Sequence, residues 1–151
     1  IPGGQNVSID RMMNETATRE SYRIKGETVV TVNDYTSGRT FDDALCYSFY
    51  PIDLHDKTGV KPRKLSPGTR PTIPRGALIP KGSRNLMVAG RCLSSDRLVN
   101  SAARVQASCM AMGQAAACTA VLAAKAGTTP KDVPLDEIRT LLLEHGAIVP
   151  G

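Results

Sequence analysis

A long run of small, mostly apolar residues near the carboxyl end constrains the fold more than any other feature. Residues 103–126 are dominated by alanine, with Gly, Ser, Cys and Thr among them, and the run stops at Gly127. It is too long for a strand, so the pattern predicts one helix over about 103–126 with Gly127 as its C-cap. Arg104 and Gln114 interrupt the run and alanine contributes little to lipid insertion. We therefore expect a buried helix of a soluble domain, without a membrane span.

A short apolar segment ahead of this helix predicts a strand over 86–89, which ends at Gly90. A strand, a loop and then a helix N-terminus, in this order, are typical of α/β domains that bind nucleotides. Glycine at the end of the strand would let a ligand approach the backbone closely. The small residues of the helix would let it lie close against the sheet.

The rest of the chain predicts a mixed α and β fold. We expect four segments: an irregular amino-terminal segment (1–19), a strand-rich segment (20–84), the strand and long helix (85–127) and a carboxyl-terminal amphipathic helix (128–151). In finer detail, the pattern predicts one or two strands over 22–32, followed by a short helical turn that Asn33 could cap. It then predicts a strand over 44–52, an exposed loop over 53–71 and an extended stretch over 71–80. A final helix is expected from Pro134 to Gly146.

Composition argues against several classes of function. The net charge is +5, but no basic run is interleaved with aromatic residues, so we expect no nucleic-acid partner. The four cysteines are far apart, without a CxxC or Cys/His cluster, which predicts no metal site. Free thiols, with Cys109 and Cys118 buried in the long helix, fit a cytoplasmic location.

Several stretches resemble a known family. They are NLMVAGRCLSS (85–95), SAARVQASCMAMGQAAACTAVLAAKAG (101–127), RESYRIKGETVVTVNDYTSGRTFDDALCYSFYPIDLHD (19–56) and IPRGALIPKGSRNL (73–86). The chain resembles the carboxyl-terminal part of FAD-dependent oxidoreductases with a glutathione-reductase-like FAD domain. That class includes the fumarate reductase and succinate dehydrogenase flavoproteins. The resemblance covers roughly residues 17–147.

The resemblance implies a function larger than the chain. The GxGxxG motif that holds the FAD pyrophosphate is missing, so we expect a carboxyl-terminal fragment of an FAD-binding domain. It would carry a few strands of the substrate-side sheet and two carboxyl-terminal helices, and bind FAD only together with the upstream part of its own chain. The full enzyme would transfer a hydride between a small-molecule organic substrate and FAD. The fragment alone would be inactive and would form a homodimer. The alternative is a non-catalytic interaction or assembly domain.

The predicted cofactor residues lie at the end of the strand and the start of the helix. Ala89 and Gly90 would lie against the ribityl chain, and Arg91 stands where many relatives carry an acidic residue that contacts the ribityl hydroxyls. The first turn of the helix would present N–H groups to the negative charge that develops on the flavin; its residues are Val105, Gln106, Ala107 and Ser108. Alternatively, the small residues only permit close packing, and Arg91 pairs with a neighbouring carboxylate.

Arg104 and His55 are the predicted catalytic residues. A cation at the start of a helix is unfavourable for the helix dipole, which suggests that Arg104 faces an anion. In the fumarate reductase branch a similarly placed arginine binds a substrate carboxylate. His55, flanked by aspartates, could relay protons. The alternatives are a structural salt bridge for Arg104 and an exposed loop position for His55.

Overall fold

In the computed structural model, which describes residues 8, 10, 11, 19, 20, 22–56, 58–60 and 62–151, four α-helices pack with two short antiparallel β-ribbons. The helices are α1 (Val32–Ser37), α2 (Arg97–Ala103), α3 (Gln106–Ala126) and α4 (Leu135–Glu144). The strands are β1 (Ala44–Tyr47), β2 (His55–Asp56), β3 (Gly59–Val60) and β4 (Thr72–Pro74). The predicted mixed α and β class is confirmed. Most of the predicted irregular segment 1–19 lies outside the described residues.

The first ribbon pairs β1 with β4, and a bulge lies between Ala44 and Cys46. Both strands were predicted, although β1 ends at Tyr47 rather than at 52, and residues 75–77 form a 3-10 turn instead of an extended stretch. The prediction that 53–71 is only a loop is wrong. This segment contains the β2–β3 hairpin, and Ile52 bridges to Arg63 beside it.

The predictions of strands over 22–32 and over 86–89 are also wrong, because neither segment forms a β-ladder. Within the described part of the chain, residues 22–32 make single bridges from Gly26 to Pro80 and from Val30 to Ser95 in place of a ladder. The backbone of Ala89 is extended, and the Val88 N–H donates to the Leu78 carbonyl at 2.8 Å, but no described segment forms a ladder with 86–89. An apolar extended sequence becomes a strand only where another strand can pair with it.

A capping box begins α1. The N-cap is Thr31 rather than the predicted Asn33, and Asp34 completes the box with hydrogen bonds in both directions. Asp96 then connects two helices, because its carboxylate accepts from the Val32 N–H at the start of α1 and from the Val99 N–H in α2. This arrangement fixes α1 against α2.

The predicted helix over 103–126 is divided into two. The Asp96 side chain caps α2, and the chain then breaks at Val105, whose backbone is extended (φ −70°, ψ 154°). The C-cap at Gly127 is confirmed (φ 63°). The final helix is confirmed too, with Pro134 immediately before α4 and Gly146 after it.

The core lies on both sides of β1, and α3 contributes to both parts. One cluster gathers beneath α2, around Leu78, Leu93 and Met112, and the other lies between α3 and α4, around Ile138 and Leu142. The helix α3 is buried along one side, so the prediction of a buried helix is correct for that side alone. By length and composition alone α3 could cross a membrane, although a third of its apolar window is buried, and the core helices of soluble proteins pass the same test.

All four cysteines are free thiols. Cys46 and Cys118 are buried, whereas Cys109 is only half-buried, which corrects the prediction for Cys109. Burial raises the pKa of the Cys46 thiol to about 12. Cys46 is therefore protonated and unreactive at neutral pH.

Candidate flavin-facing site

Gly90 forms the turn that was predicted to contact the cofactor. Its φ is +74°, in the left-handed region that favours glycine. A Cβ at this position would lie 3.5 Å from the Cys109 Sγ, which is ordinary contact. The backbone angle, rather than lack of space, therefore requires glycine here. Arg91 is exposed within the same 3-10 turn, and its carbonyl accepts from the Asn100 Nδ2 at 2.8 Å.

The N-terminus of α3 lies beside this turn. Its N-cap is Val105, which provides no side-chain capping bond, so the first backbone N–H groups keep their partial positive charge. Gln106 and Ala107 are exposed, whereas Ser108 is buried and shares a 3.0 Å hydrogen bond with Ser48 through their hydroxyls. An anion could approach the exposed side of this helix end.

Gly90 connects the two halves of the predicted cofactor site, because it lies against Cys109 in the second turn of α3. The pKa of the Cys109 thiol is raised, mainly by burial, while the positive charge of Arg91 partly offsets the rise. The packing of Gly90 against Cys109 places the 90–92 turn beside the beginning of α3. The structure thus brings the predicted cofactor residues into one region.

Arg104 was predicted to lie at the start of the long helix, and it lies between two helices, one residue before the N-cap of α3. It is the C-cap of α2, and its N–H donates to the Asn100 carbonyl. A cation at this end is favourable for the dipole of α2, but Arg104 also lies immediately before the N-cap of α3, where a cation is unfavourable, so the two helix dipoles act on it in opposite directions. Its guanidinium Nη2 donates to the Asp53 carbonyl at 3.0 Å.

His55 lies in the same cluster through Asp53. The His55 Nε2 is 3.2 Å from the Asp53 carboxylate and 2.8 Å from the Arg19 Nη1. The Asp53 N–H in turn donates to the Ser101 hydroxyl at 3.1 Å. The two predicted catalytic residues are therefore linked through one residue, Asp53, which the sequence reasoning did not identify as part of the site.

Two buried polar atoms in the described part of the chain have no hydrogen-bond partner. They are side-chain atoms: the acceptor Asn100 Oδ1 in the middle of α2 and the donor Arg104 Nε at its C-cap. Buried polar atoms are rarely left unpaired in a complete structure. This part of the molecule therefore retains hydrogen-bonding capacity for a further group.

The family model of FAD-dependent oxidoreductases matches residues 1–142 of the chain. The chain belongs to this family. FAD is accordingly its cofactor. No curated protein and no solved structure gave a match.

The described residues fit FAD in kind. An uncapped helix N-terminus, a turn at a glycine with positive φ and two unpaired buried atoms all lie around the junction of α2 and α3. The uncapped N-terminus of α3 favours a group that becomes negatively charged on reduction.

A separate groove of about 500 Å³ lies between β1, the first turns of α3, the end of α4 and the segment after it. Its lining is mostly apolar and includes Tyr47, Met110 and Ile148, and none of the predicted site residues lines it. Met110 is 74% exposed and Ile148 is 81% exposed. No sequence motif pointed to this groove, because its lining residues come from three distant segments.

Proposed function

We propose that this chain provides the flavin-facing helix and part of the substrate site of an enzyme that transfers a hydride between an organic substrate and FAD. The observation that carries the proposal is the uncapped N-terminus of α3, placed beside the Gly90 turn in a chain of the FAD-dependent oxidoreductase family. The resemblance described above supports placing it in the glutathione-reductase-like class, near the fumarate reductase and succinate dehydrogenase flavoproteins.

The first turn of α3 acts electrostatically in this proposal. Bound FAD supplies the two-electron acceptor, a chemistry that protein side chains lack. The free N–H groups around Gln106 and Ala107 stabilise negative charge that develops nearby, and they need no reorganisation because the helix holds them in place. The Gly90 turn allows close approach of a ligand to the backbone, and Ala89 and Arg91 flank it.

Arg104 and His55 act on the substrate in this proposal. A guanidinium binds a carboxylate through its planar set of donors, and the Arg104 Nε is a buried donor that remains unpaired. His55 relays a proton, a task suited to an imidazole because its ordinary pKa is near neutrality. Its 39% exposed side chain can exchange protons with solvent.

We also propose that the chain is the carboxyl-terminal portion of a longer protein and binds FAD only together with the upstream part. The extended segment 86–89 supports this, because it has no strand partner among the described residues and Leu86 is 53% exposed. Free thiols support a cytoplasmic location. The exposed residues of the apolar groove support homodimer formation by the isolated chain.

Replacement of Arg104 tests the catalytic assignment. Arg104→Gln removes the guanidinium, and we expect turnover of the FAD-loaded, full-length enzyme to fall about tenfold or more. Loss of the hydrogen bond to Asp53 should also cost about 1 kcal/mol of stability.

Ser101→Ala is the matched control. It removes the other hydrogen bond to the Asp53 main chain but leaves the guanidinium in place. Steady-state kinetics should show near-normal turnover for Ser101→Ala and a large loss for Arg104→Gln. Equal losses in both variants would show that Arg104 only braces Asp53.

A second candidate function is that of a non-catalytic interaction or assembly domain. The exposed apolar groove favours it, since exposed apolar patches mark contact surfaces. Expression of the chain joined to its upstream coding sequence distinguishes the catalytic function from the assembly function. A flavin-free protein that still self-associates would favour the assembly function.

A further inference from the structure

Asp53 contacts both candidate catalytic side chains, through different parts of the residue. Its carbonyl accepts from the Arg104 guanidinium at 3.0 Å, and its N–H donates to the Ser101 hydroxyl at 3.1 Å. Its carboxylate Oδ2 lies 3.2 Å from the His55 Nε2. The main chain of Asp53 therefore holds the α2–α3 junction, and its side chain is left to act on His55.

The same nitrogen of His55 is also contacted by Arg19, whose Nη1 lies 2.8 Å away. A guanidinium can only donate a hydrogen bond, and a carboxylate can only accept one. The Nε2 accepts from Arg19 when it carries no proton, and it donates to Asp53 when it carries one. Arg19 Nη1 also lies 3.5 Å from Nδ1, but its contact with Nε2 is much shorter. The shorter contact favours a bare Nε2, so Arg19 and Asp53 favour opposite forms of the His55 ring.

We propose that Asp53 is a positioning residue for His55, selecting the form that carries its proton on Nε2, and that Arg19 opposes this selection. The inference rests on the proposed role of His55 in proton transfer. In the neutral form that Asp53 favours, the proton is on Nε2, so Nδ1 is unprotonated and acts as the base. In the form that Arg19 favours, the proton is on Nδ1 and Nε2 is unprotonated. The balance between the two contacts decides which nitrogen receives a proton from the substrate.

The charged side chains shown in contact with the ring, within the described part of the chain, are Arg19 and Asp53. Arg19 is exposed, and the Asp53 side chain is 20% exposed. Partly exposed contacts of this kind are individually weak. Two weak and opposed contacts leave both forms of the ring populated, and loss of either contact shifts the population.

The ¹⁵N resonances of the imidazole nitrogens, recorded on the full chain at alkaline pH where imidazole rings are neutral, measure this population. Asp53→Ala should shift the tautomer ratio about threefold towards the proton on Nδ1, the size expected for a partly exposed pair. Arg19→Ala should shift it in the opposite direction. His145, the other histidine of the chain, serves as the internal reference and should not change.

Asp53→Asn keeps an acceptor oxygen at the same place, so its tautomer ratio should lie between those of the wild type and Asp53→Ala. If Asp53→Ala does not fold, the proposal still stands or falls on Asp53→Asn and Arg19→Ala. Shifts in the same direction, or unchanged ratios in both variants, would overturn it. The measurement needs neither flavin nor turnover, so it can fail while the proposed function holds, and the reverse.

Discussion

At the scale of single residues, Gly90 is the position in the candidate site where the backbone limits substitution most clearly. Its φ of +74° costs an L-residue about 1–2 kcal/mol, because Cβ then approaches the following carbonyl. The neighbouring Cys109 leaves room for a methyl group. Substitution here should therefore affect stability through the backbone rather than through a clash.

We expect Gly90→Ala to lower the free energy of unfolding by about 1–2 kcal/mol. Gly113 is the matched control, since it lies inside α3 with open space around it. Gly113→Ala should raise stability by roughly 0.5–1 kcal/mol, because alanine favours a helix over glycine. Urea denaturation of both variants measures this contrast, and a Gly90→Ala chain as stable as the wild type would show that the left-handed turn is not maintained in solution.

At the scale of elements, the junction between α2 and α3 brings the two parts of the site together. The sequence predicted helical structure and its end at Gly127 correctly, because side-chain size and glycine capping act locally. It missed the break at Val105. Asp96 was a readable N-cap signal for α2, but hydrophobic periodicity carries no signal for the extended backbone of Val105 between the two helices.

The capping box of α1 gives a pH-dependent prediction at this scale. Burial alone would raise the pKa of the Asp34 carboxyl, but hydrogen bonds from Thr31 and Arg39 outweigh it, so the pKa is lowered. A lowered pKa in the folded state contributes stability that is present above the unfolded value and lost as pH falls through the folded one. The charge of Asp34 should thus stabilise the chain near neutral pH but not in strong acid.

We expect Asp34→Asn to destabilise the chain by about 0.5–1 kcal/mol near pH 7, and this difference to disappear as pH falls below the folded pKa of Asp34. Asp136→Asn, at an exposed position in the first turn of α4, controls for the general effect of a charge near a helix N-terminus. Denaturant unfolding of each variant at pH 7 and at a pH below the folded pKa of Asp34 provides the comparison. An effect of Asp34→Asn no larger than that of Asp136→Asn would contradict the capping box.

At the scale of the whole molecule, the sequence predicted the mixed α and β class, and the proposed cofactor residues lie in one region, but it did not predict the pairing of strands. Among the described residues, β1 pairs with β4 and β2 with β3, and 86–89 pairs with no strand. Pairing of this kind depends on which partner is present, so apolar alternation alone cannot predict it. Asp53 was missed for a similar reason, since its role arises from contacts with Ser101 and Arg104, which lie about fifty residues further along the chain.

The flavin content of two proteins tests the central claim most directly: the purified 151-residue chain, and the same chain joined to its upstream coding sequence. Absorbance after extensive dialysis gives the ratio of FAD to protein in each. We expect little or no FAD on the chain alone and about one FAD per molecule on the longer protein, because we propose that the pyrophosphate-binding motif belongs to an upstream part. Stoichiometric FAD on the chain alone would contradict the proposal that it is a carboxyl-terminal portion. No FAD on either protein would contradict the flavin-facing role of α3.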